Sequence, residues 1–73
     1  MTKKEIAERE TLYLKMLKRG SLSIHECESA LSNLVPEILR DIPAQGVEGM
    51  EARLAAERKY KRHIWRKLLE ATK

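Results

Sequence analysis

The 73-residue chain is poor in cysteine and in aromatic residues: it has one Cys, one Trp, two Tyr and no Phe. A single cysteine cannot form an internal disulfide and supplies at most one thiolate, which excludes a disulfide-stapled fold and a cysteine-rich zinc fold. No apolar run approaches the roughly 20 residues of a membrane span, and the charged segment from Met1 to Glu10 does not fit a signal peptide. These absences predict a small, basic helical module in the cytoplasm.

The chain also lacks the patterns that carry catalysis or metal binding. A chain this short buries only about 60% of its unfolded surface, which leaves no room for a deep enzyme cleft. It has no glycine-rich phosphate loop and no Ser, His and Asp grouping that the predicted fold brings together. His25 and His63 are far apart in sequence and have no further residues at metal-ligand spacing. We therefore expect no enzymatic activity, no cofactor and no metal site.

Charge is distributed unevenly along the chain. The 15 Lys and Arg residues outnumber the 11 Asp and Glu residues, for a formal net charge of +4. Residues 1–20 and 51–73 carry net positive charge, whereas residues 21–50 carry net negative charge. The basic ends can attract the acidic middle within the fold, and the last third can also face an anionic partner. An ordinary solvated helix surface accounts for the pattern equally well, so charge alone leaves both interpretations open.

The first helix should begin at the start of the chain. Thr2 and Glu5 have the spacing of a capping box, in which each side chain accepts a hydrogen bond from a free backbone N–H. Apolar residues then recur at helical spacing: Ile6, Tyr13, Leu14 and Leu17, with Leu12 and Met16 widening the stripe. Gly20 is the predicted stop, because glycine adopts the left-handed conformation after a helix without steric cost. The sequence allows fraying over residues 1–9 and 70–73.

A second and a third helix are predicted in the middle of the chain. Ser23 and Glu26 repeat the capping-box spacing before a helix from about Ile24 to Leu34. Cys27 falls on the apolar stripe of this helix, so we expect a small core residue rather than a reactive thiol. A short third helix, Pro36–Asp41, follows because proline suits the first helical position. Its inward side chains should be Ile38, Leu39 and Ile42.

The fourth helix should be the longest, from Val47 or Met50 to Ala71. Its apolar line consists of Val47, Met50, Leu54, Ile64, Trp65 and Leu68. Glu57 and Lys61 interrupt this line as an i,i+4 ion pair. Two arrangements reconcile the apolar line with this charged interruption: the helix packs at both ends and bridges a gap, or its second half projects from the domain. The predicted fold is therefore all-α: one domain over residues 1–73, with three or four helices and a long basic C-terminal helix.

The strongest functional feature is the basic stretch Arg58–Lys67 (RKYKRHIWRK) on the fourth helix. On a helical projection, Lys59, Arg62, His63 and Arg66 share the face opposite the apolar line. Such a row suits phosphates or an acidic protein surface, or it is an inert solvated face; anionic lipid fits poorly, because the core needs the apolar face. The residues predicted to contact phosphate or an acidic partner are Arg58, Lys59, Arg62 and Arg66.

A domain this small should leave some apolar side chains uncovered. We expect them to form a groove for a partner segment between helices one, two and four, with methionines able to adapt to it. The predicted groove residues are Leu12, Tyr13, Met16, Met50 and Trp65. Trp65 suits an interface anchor, because Trp and Arg are enriched at binding hot spots. Its position on the apolar line nevertheless favours a half-buried core role.

The segment from Leu12 to Leu34 resembles the first two helices of winged-helix and related DNA-binding domains, in which an apolar helix, Gly, Leu-Ser and an acidic helix follow one another. The next segment, Val35 to Gly46, should then be a recognition helix, but it carries Glu37 and Asp41, and carboxylates repel phosphates. The Tyr-Leu-basic sequence near the start is also similar to that of Hha-type nucleoid modulators. A helix-turn-helix-like DNA-binding protein or a nucleoid-associated modulator is therefore the alternative hypothesis.

In length, basicity and lack of catalytic motifs, the whole chain is similar to small phage-encoded proteins that bind host RNA polymerase. The resemblance implies a non-enzymatic transcription regulator that promotes antitermination, inhibits initiation, or does both. It implies bacterial RNA polymerase as the partner, bound near the amino terminus of the β′ subunit and the RNA exit channel, with RNA or DNA phosphates nearby. On this hypothesis the protein is a monomer in the bacterial host cytoplasm and does not contact the membrane.

Overall fold

The computed structural model describes residues 1–43 and 45–72, and these residues form four α-helices and no strand. The helices are α1 (Lys3–Lys18), α2 (Ile24–Ser32), α3 (Val35–Leu39) and α4 (Gly46–Ala71). This arrangement confirms the predicted all-α fold with a long C-terminal helix. Because an α-helix rises about 1.5 Å per residue, the 26 residues of α4 span most of the 43 Å length of the molecule.

Capping boxes begin both α1 and α2, as the sequence spacing predicts. The Thr2 hydroxyl accepts a hydrogen bond from the backbone N–H of Glu5 at 3.1 Å, and the Ser23 hydroxyl accepts one from that of Glu26 at 3.1 Å. In return, the Ser23 N–H donates to the Glu26 carboxylate at 3.0 Å, which lowers the pKa of Glu26 below its ordinary value. After α1, Gly20 has φ +80°, the left-handed conformation expected of a stop residue.

The core lies between α1, α2 and the second half of α4. Its buried side chains are Ile6, Cys27, Leu31, Leu34, Tyr60, Ile64 and Leu68. Cys27 is fully buried, which confirms its predicted core role. Burial raises the pKa of its thiol, so the reactive thiolate is disfavoured.

The short α3 begins one residue earlier than predicted and ends sooner. Leu34, predicted as the end of α2, instead precedes α3 as its N-cap, and the helix runs from Val35 to Leu39 rather than from Pro36 to Asp41. Pro36 thereby occupies the second helical position, where its missing N–H costs nothing because the first N–H groups of a helix have no intrahelical partner. Of the three predicted inward side chains, Leu39 is buried, whereas Ile38 and Ile42 are half-buried.

The buried face of α4 shares only Ile64 and Leu68 with the predicted apolar line. It consists of Tyr60, Ile64 and Leu68, one helical turn apart, whereas Val47 and Met50 are 73% and 60% exposed. The second half of α4 therefore packs on the core and the first half is largely exposed, so the prediction that the second half projects is wrong. The physical reason is that α1 and α2 build their core against the second half, which leaves the first half of α4 beside the short α3 alone.

Candidate functional site

The four cations predicted to contact an anionic partner lie on the solvent side of α4. Arg58, Lys59, Arg62 and Arg66 are all exposed. The three arginines repeat every fourth residue and therefore form a row about 12 Å long. Within residues 1–43 and 45–72, no carboxylate lies within ion-pair distance of these four side chains. Their charges are therefore available to a partner molecule.

Two other cations of α4 are paired within the helix. The Nζ of Lys61 lies 3.0 Å from the Oε1 of Glu57, which confirms the predicted i,i+4 pair, and the Nζ of Lys67 lies 3.9 Å from the Oε2 of Glu70. Exposed pairs of this kind contribute only about 0.2–1 kcal/mol to stability. Glu57 and Glu70 therefore pair with lysines, and neither is within ion-pair distance of the three arginines of the row in the part of the chain that the structure describes.

His63 does not belong to the exposed row, contrary to the prediction. Its Nε2 lies 3.0 Å from the Oε2 of Glu10 on α1, and the Tyr60 hydroxyl donates to the Oε1 of the same carboxylate at 3.0 Å. Because an ionised carboxylate only accepts hydrogen bonds, Nε2 of His63 carries the hydrogen. Burial raises the pKa of Tyr60, and the nearby Glu10 charge raises it further. These three side chains form a polar clamp that fastens α1 to α4.

The solvent side of α4 also carries large apolar side chains between and beside the arginines. Leu54, Trp65 and Leu69 are 51%, 49% and 61% exposed. At about 100° per residue, these three side chains fall within about 80° of one another on the helix, together with Arg58 and Arg62. We call these five residues the outer ridge. Leu69 is not among the predicted site residues, although its four-residue spacing from Trp65 is visible in the sequence.

Trp65 lies outside the core cluster and among the exposed side chains. The half-buried core role that its position on the predicted apolar line favours is therefore wrong. The cause is the orientation of α4: its buried face runs through Tyr60, Ile64 and Leu68, and Trp65 lies about 100° around the helix from Ile64, the middle of that face. An exposed Trp beside arginines has the composition of a binding hot spot.

The five residues of the predicted partner groove lie on different surfaces. Leu12 is exposed in a shallow depression lined by α1 residues alone, and Met50 lies in a second depression between α3 and α4. Tyr13 packs against the core, Met16 is half-buried, and Trp65 lies on the outer ridge. The structure therefore separates Leu12, Met50 and Trp65 instead of joining them in one groove between α1, α2 and α4.

The segment that a helix-turn-helix protein would use for base reading is short and acidic. The helix in this segment, α3, has only five residues. The Glu37 carboxylate on this helix accepts a hydrogen bond from the Met1 ammonium at 3.1 Å and lies 3.7 Å from the Arg40 guanidinium. The single arginine of the segment, Arg40, lies beside this carboxylate, and Asp41 adds a second one. Carboxylates repel phosphates, so the segment is poorly suited to reading DNA.

Across residues 1–43 and 45–72, no three His, Cys, Asp or Glu side chains are grouped so that they could hold a metal ion. None of the helices in this part of the chain combines the length and apolar character needed to cross a bilayer. Comparison with known proteins gives no match to a family model and no significant match to a curated protein or a solved structure. The interpretation of the site therefore depends on its own chemistry.

Proposed function

We propose that this protein is a non-enzymatic transcription regulator that binds bacterial RNA polymerase through the solvent side of α4. The observation that supports binding is the row of exposed cations for which residues 1–43 and 45–72 provide no ion-pair partner: Arg58, Lys59, Arg62 and Arg66. The choice of polymerase as partner rests on the resemblance in length, basicity and lack of catalytic motifs to small phage-encoded polymerase-binding proteins. A transcribing polymerase also holds RNA and DNA, whose phosphates attract such a row.

Binding alone is sufficient for regulation in this proposal. A basic helix held near the amino terminus of β′, beside the RNA exit channel, would obstruct formation of the terminator hairpin and so promote antitermination. The same occupancy would disturb promoter engagement by σ and so inhibit initiation. Neither effect makes or breaks a covalent bond, so no catalytic group is required.

The arginine row contributes mainly to association rate and orientation. Exposed charge pairs add about 0–1 kcal/mol each in net stability, whereas complementary charge can accelerate encounter by orders of magnitude at low salt. Salt should therefore slow binding more than it speeds release. Most of the affinity must come from contacts other than these charges.

The test is direct binding to purified core RNA polymerases from several bacterial phyla, together with transcription through an intrinsic terminator. Arg62→Glu with Arg66→Glu should weaken binding and regulation, mainly by slowing association, because it places carboxylates in the row. Lys4→Glu with Arg9→Glu is the matched control: both residues are exposed on α1, and the change in net charge is the same. Far-UV circular dichroism should show unchanged helicity in both variants.

Failure of the wild-type protein to bind any core polymerase of the panel would contradict the proposal, as would equal loss of binding in the control. The helix-turn-helix alternative predicts a different result. It requires that the protein alone form a sequence-specific DNA complex that survives about 150 mM salt.

A further inference from the structure

The outer ridge combines apolar and basic side chains in a pattern that specifies its ligand. Resting on the proposed function, we infer that the ridge binds an acidic amphipathic α-helix of the partner protein, rather than nucleic-acid phosphates alone. The helix would place apolar side chains on Leu54, Trp65 and Leu69 and carboxylates on Arg58 and Arg62.

The exposed apolar side chains favour a protein over a polynucleotide. A phosphate backbone can neutralise Arg58 and Arg62, but it offers no apolar surface to Leu54 or Leu69, which are 51% and 61% exposed. Trp65 could stack on an unpaired base, yet Leu54 lies about 16 Å from it along the helix axis. One stacked base therefore leaves the far end of the ridge in water. A helix supplies apolar side chains at both ends.

The charges favour an acidic partner over a second copy of this chain. Arg58 and Arg62 lie between Leu54 and Trp65, near the middle of the ridge. If two copies packed ridge to ridge in antiparallel fashion, Arg62 of one copy would approach Arg62 of the other, and like charges in an interface are unfavourable. Carboxylates at the middle of a partner helix would instead form bidentate pairs with the guanidinium groups.

The length of the ridge fits one helix of ordinary size. From Leu54 to Leu69 the ridge extends about 22 Å along α4, which corresponds to about 15 residues of a partner helix lying alongside it. Trp and Arg are the residue types that most often dominate binding energy. The central anchors should therefore be Trp65 and Arg62, with Leu54 and Leu69 excluding water at the two ends.

The test begins with a displayed library of randomised helical peptides of about 18 residues, selected for binding to the full-length protein. Selection should enrich peptides of net negative charge, with Leu, Ile or Phe at i, i+3/i+4 and i+7 spacing. Selected peptides are then titrated against the protein. Because Trp65 is the only tryptophan, its fluorescence reports binding at the ridge directly and should shift to shorter wavelength.

Leu54→Ala with Leu69→Ala should weaken binding of the selected peptides about tenfold or more. Leu12→Ala is the matched control, because Leu12 is similarly exposed (48%) but lies on α1. This variant should bind the selected peptides with the affinity of the wild type. Single-stranded RNA and duplex DNA should bind the wild-type protein weakly and in a salt-sensitive manner. Their affinity for the Leu54→Ala, Leu69→Ala variant should equal their affinity for the wild type. Enrichment of peptides without acidic and apolar patterning, no enrichment, or unchanged affinity in the double variant would overturn the inference.

The two proposals can fail separately. If core polymerase binds the Leu54→Ala, Leu69→Ala variant as tightly as the wild type, the inference about the ridge is wrong while the proposed function stands. If no core polymerase binds but acidic helical peptides bind through the ridge, the ligand class is correct and the proposed partner is wrong.

Discussion

The polar clamp between α1 and α4 predicts how much stability the Tyr60 hydroxyl contributes, and it predicts that this contribution changes with pH. Tyr60→Phe removes the hydroxyl that donates to the Glu10 carboxylate at 3.0 Å and leaves the ring in place. Hydrogen bonds to charged groups contribute about 1.5–3 kcal/mol. Because the Glu10 side chain is still 18% exposed and keeps its contact with His63, we expect the lower value. The variant should be about 1.5 kcal/mol less stable than the wild type near neutral pH.

This difference should disappear in alkali. The pKa of Tyr60 is raised in the folded protein, first by burial and then by the Glu10 charge, so the fold favours the neutral phenol. The contribution of the Tyr60 hydroxyl to the free energy of unfolding is fully present below the unfolded pKa of about 10, and it is lost as pH rises toward the folded pKa. The loss is about 1.4 kcal/mol per pH unit. At about pH 11 the wild type should therefore be close to Tyr60→Phe in stability.

The assay is urea unfolding followed by far-UV circular dichroism, for both proteins, at neutral pH and at about pH 11. Lysine deprotonation affects both proteins alike and cancels in the comparison. Tyr13→Phe is the control at neutral pH and should change stability little, because the Tyr13 hydroxyl makes no hydrogen bond among the described residues. A difference between wild type and Tyr60→Phe that stays constant with pH would refute the proposed burial of this hydroxyl against Glu10.

Two further predictions concern the core and a turn. Cys27 is fully buried with a raised thiol pKa, so a thiol reagent should modify it only as fast as the protein unfolds; rapid labelling of the native protein would contradict its core position. Gly20→Ala should cost about 1 kcal/mol, because Gly20 has φ +80° and a Cβ there meets nothing within 4 Å, so the cost is backbone strain alone. Urea unfolding measures this cost, and an unchanged stability would show that α1 ends differently in solution.

Local features of the fold could be predicted from the sequence, because they depend on residues close together in the chain. The capping boxes at Thr2 and Ser23 and the stop at Gly20 are determined within a few residues. The core position of Cys27 follows from helical periodicity alone. Together with the helical spacing of apolar residues from Val47 to Leu68, these features predict the all-α fold with its long last helix.

The orientation of α4 could not be predicted in the same way. The apolar periodicity of α4 allows more than one face of the helix to be the buried one. Which face is buried depends on where α1 and α2 pack against it. The pairing of Glu10 with His63, 53 residues apart, has no local signal in one sequence. The rotation that places His63 in the clamp also places Trp65 on the surface, so a single error in helix orientation changes the interpretation of both residues.

The central claim is that the solvent side of α4 is where the partner binds, and site-specific photo-crosslinking to core RNA polymerase tests it most directly. A photoreactive amino acid is placed at Arg58, Arg66 or, as the comparison, Leu12 on α1. Crosslinks to β′ from positions 58 and 66 but not from position 12 are the predicted result. Crosslinks from position 12 alone, or none to any polymerase subunit from α4, would contradict the claim.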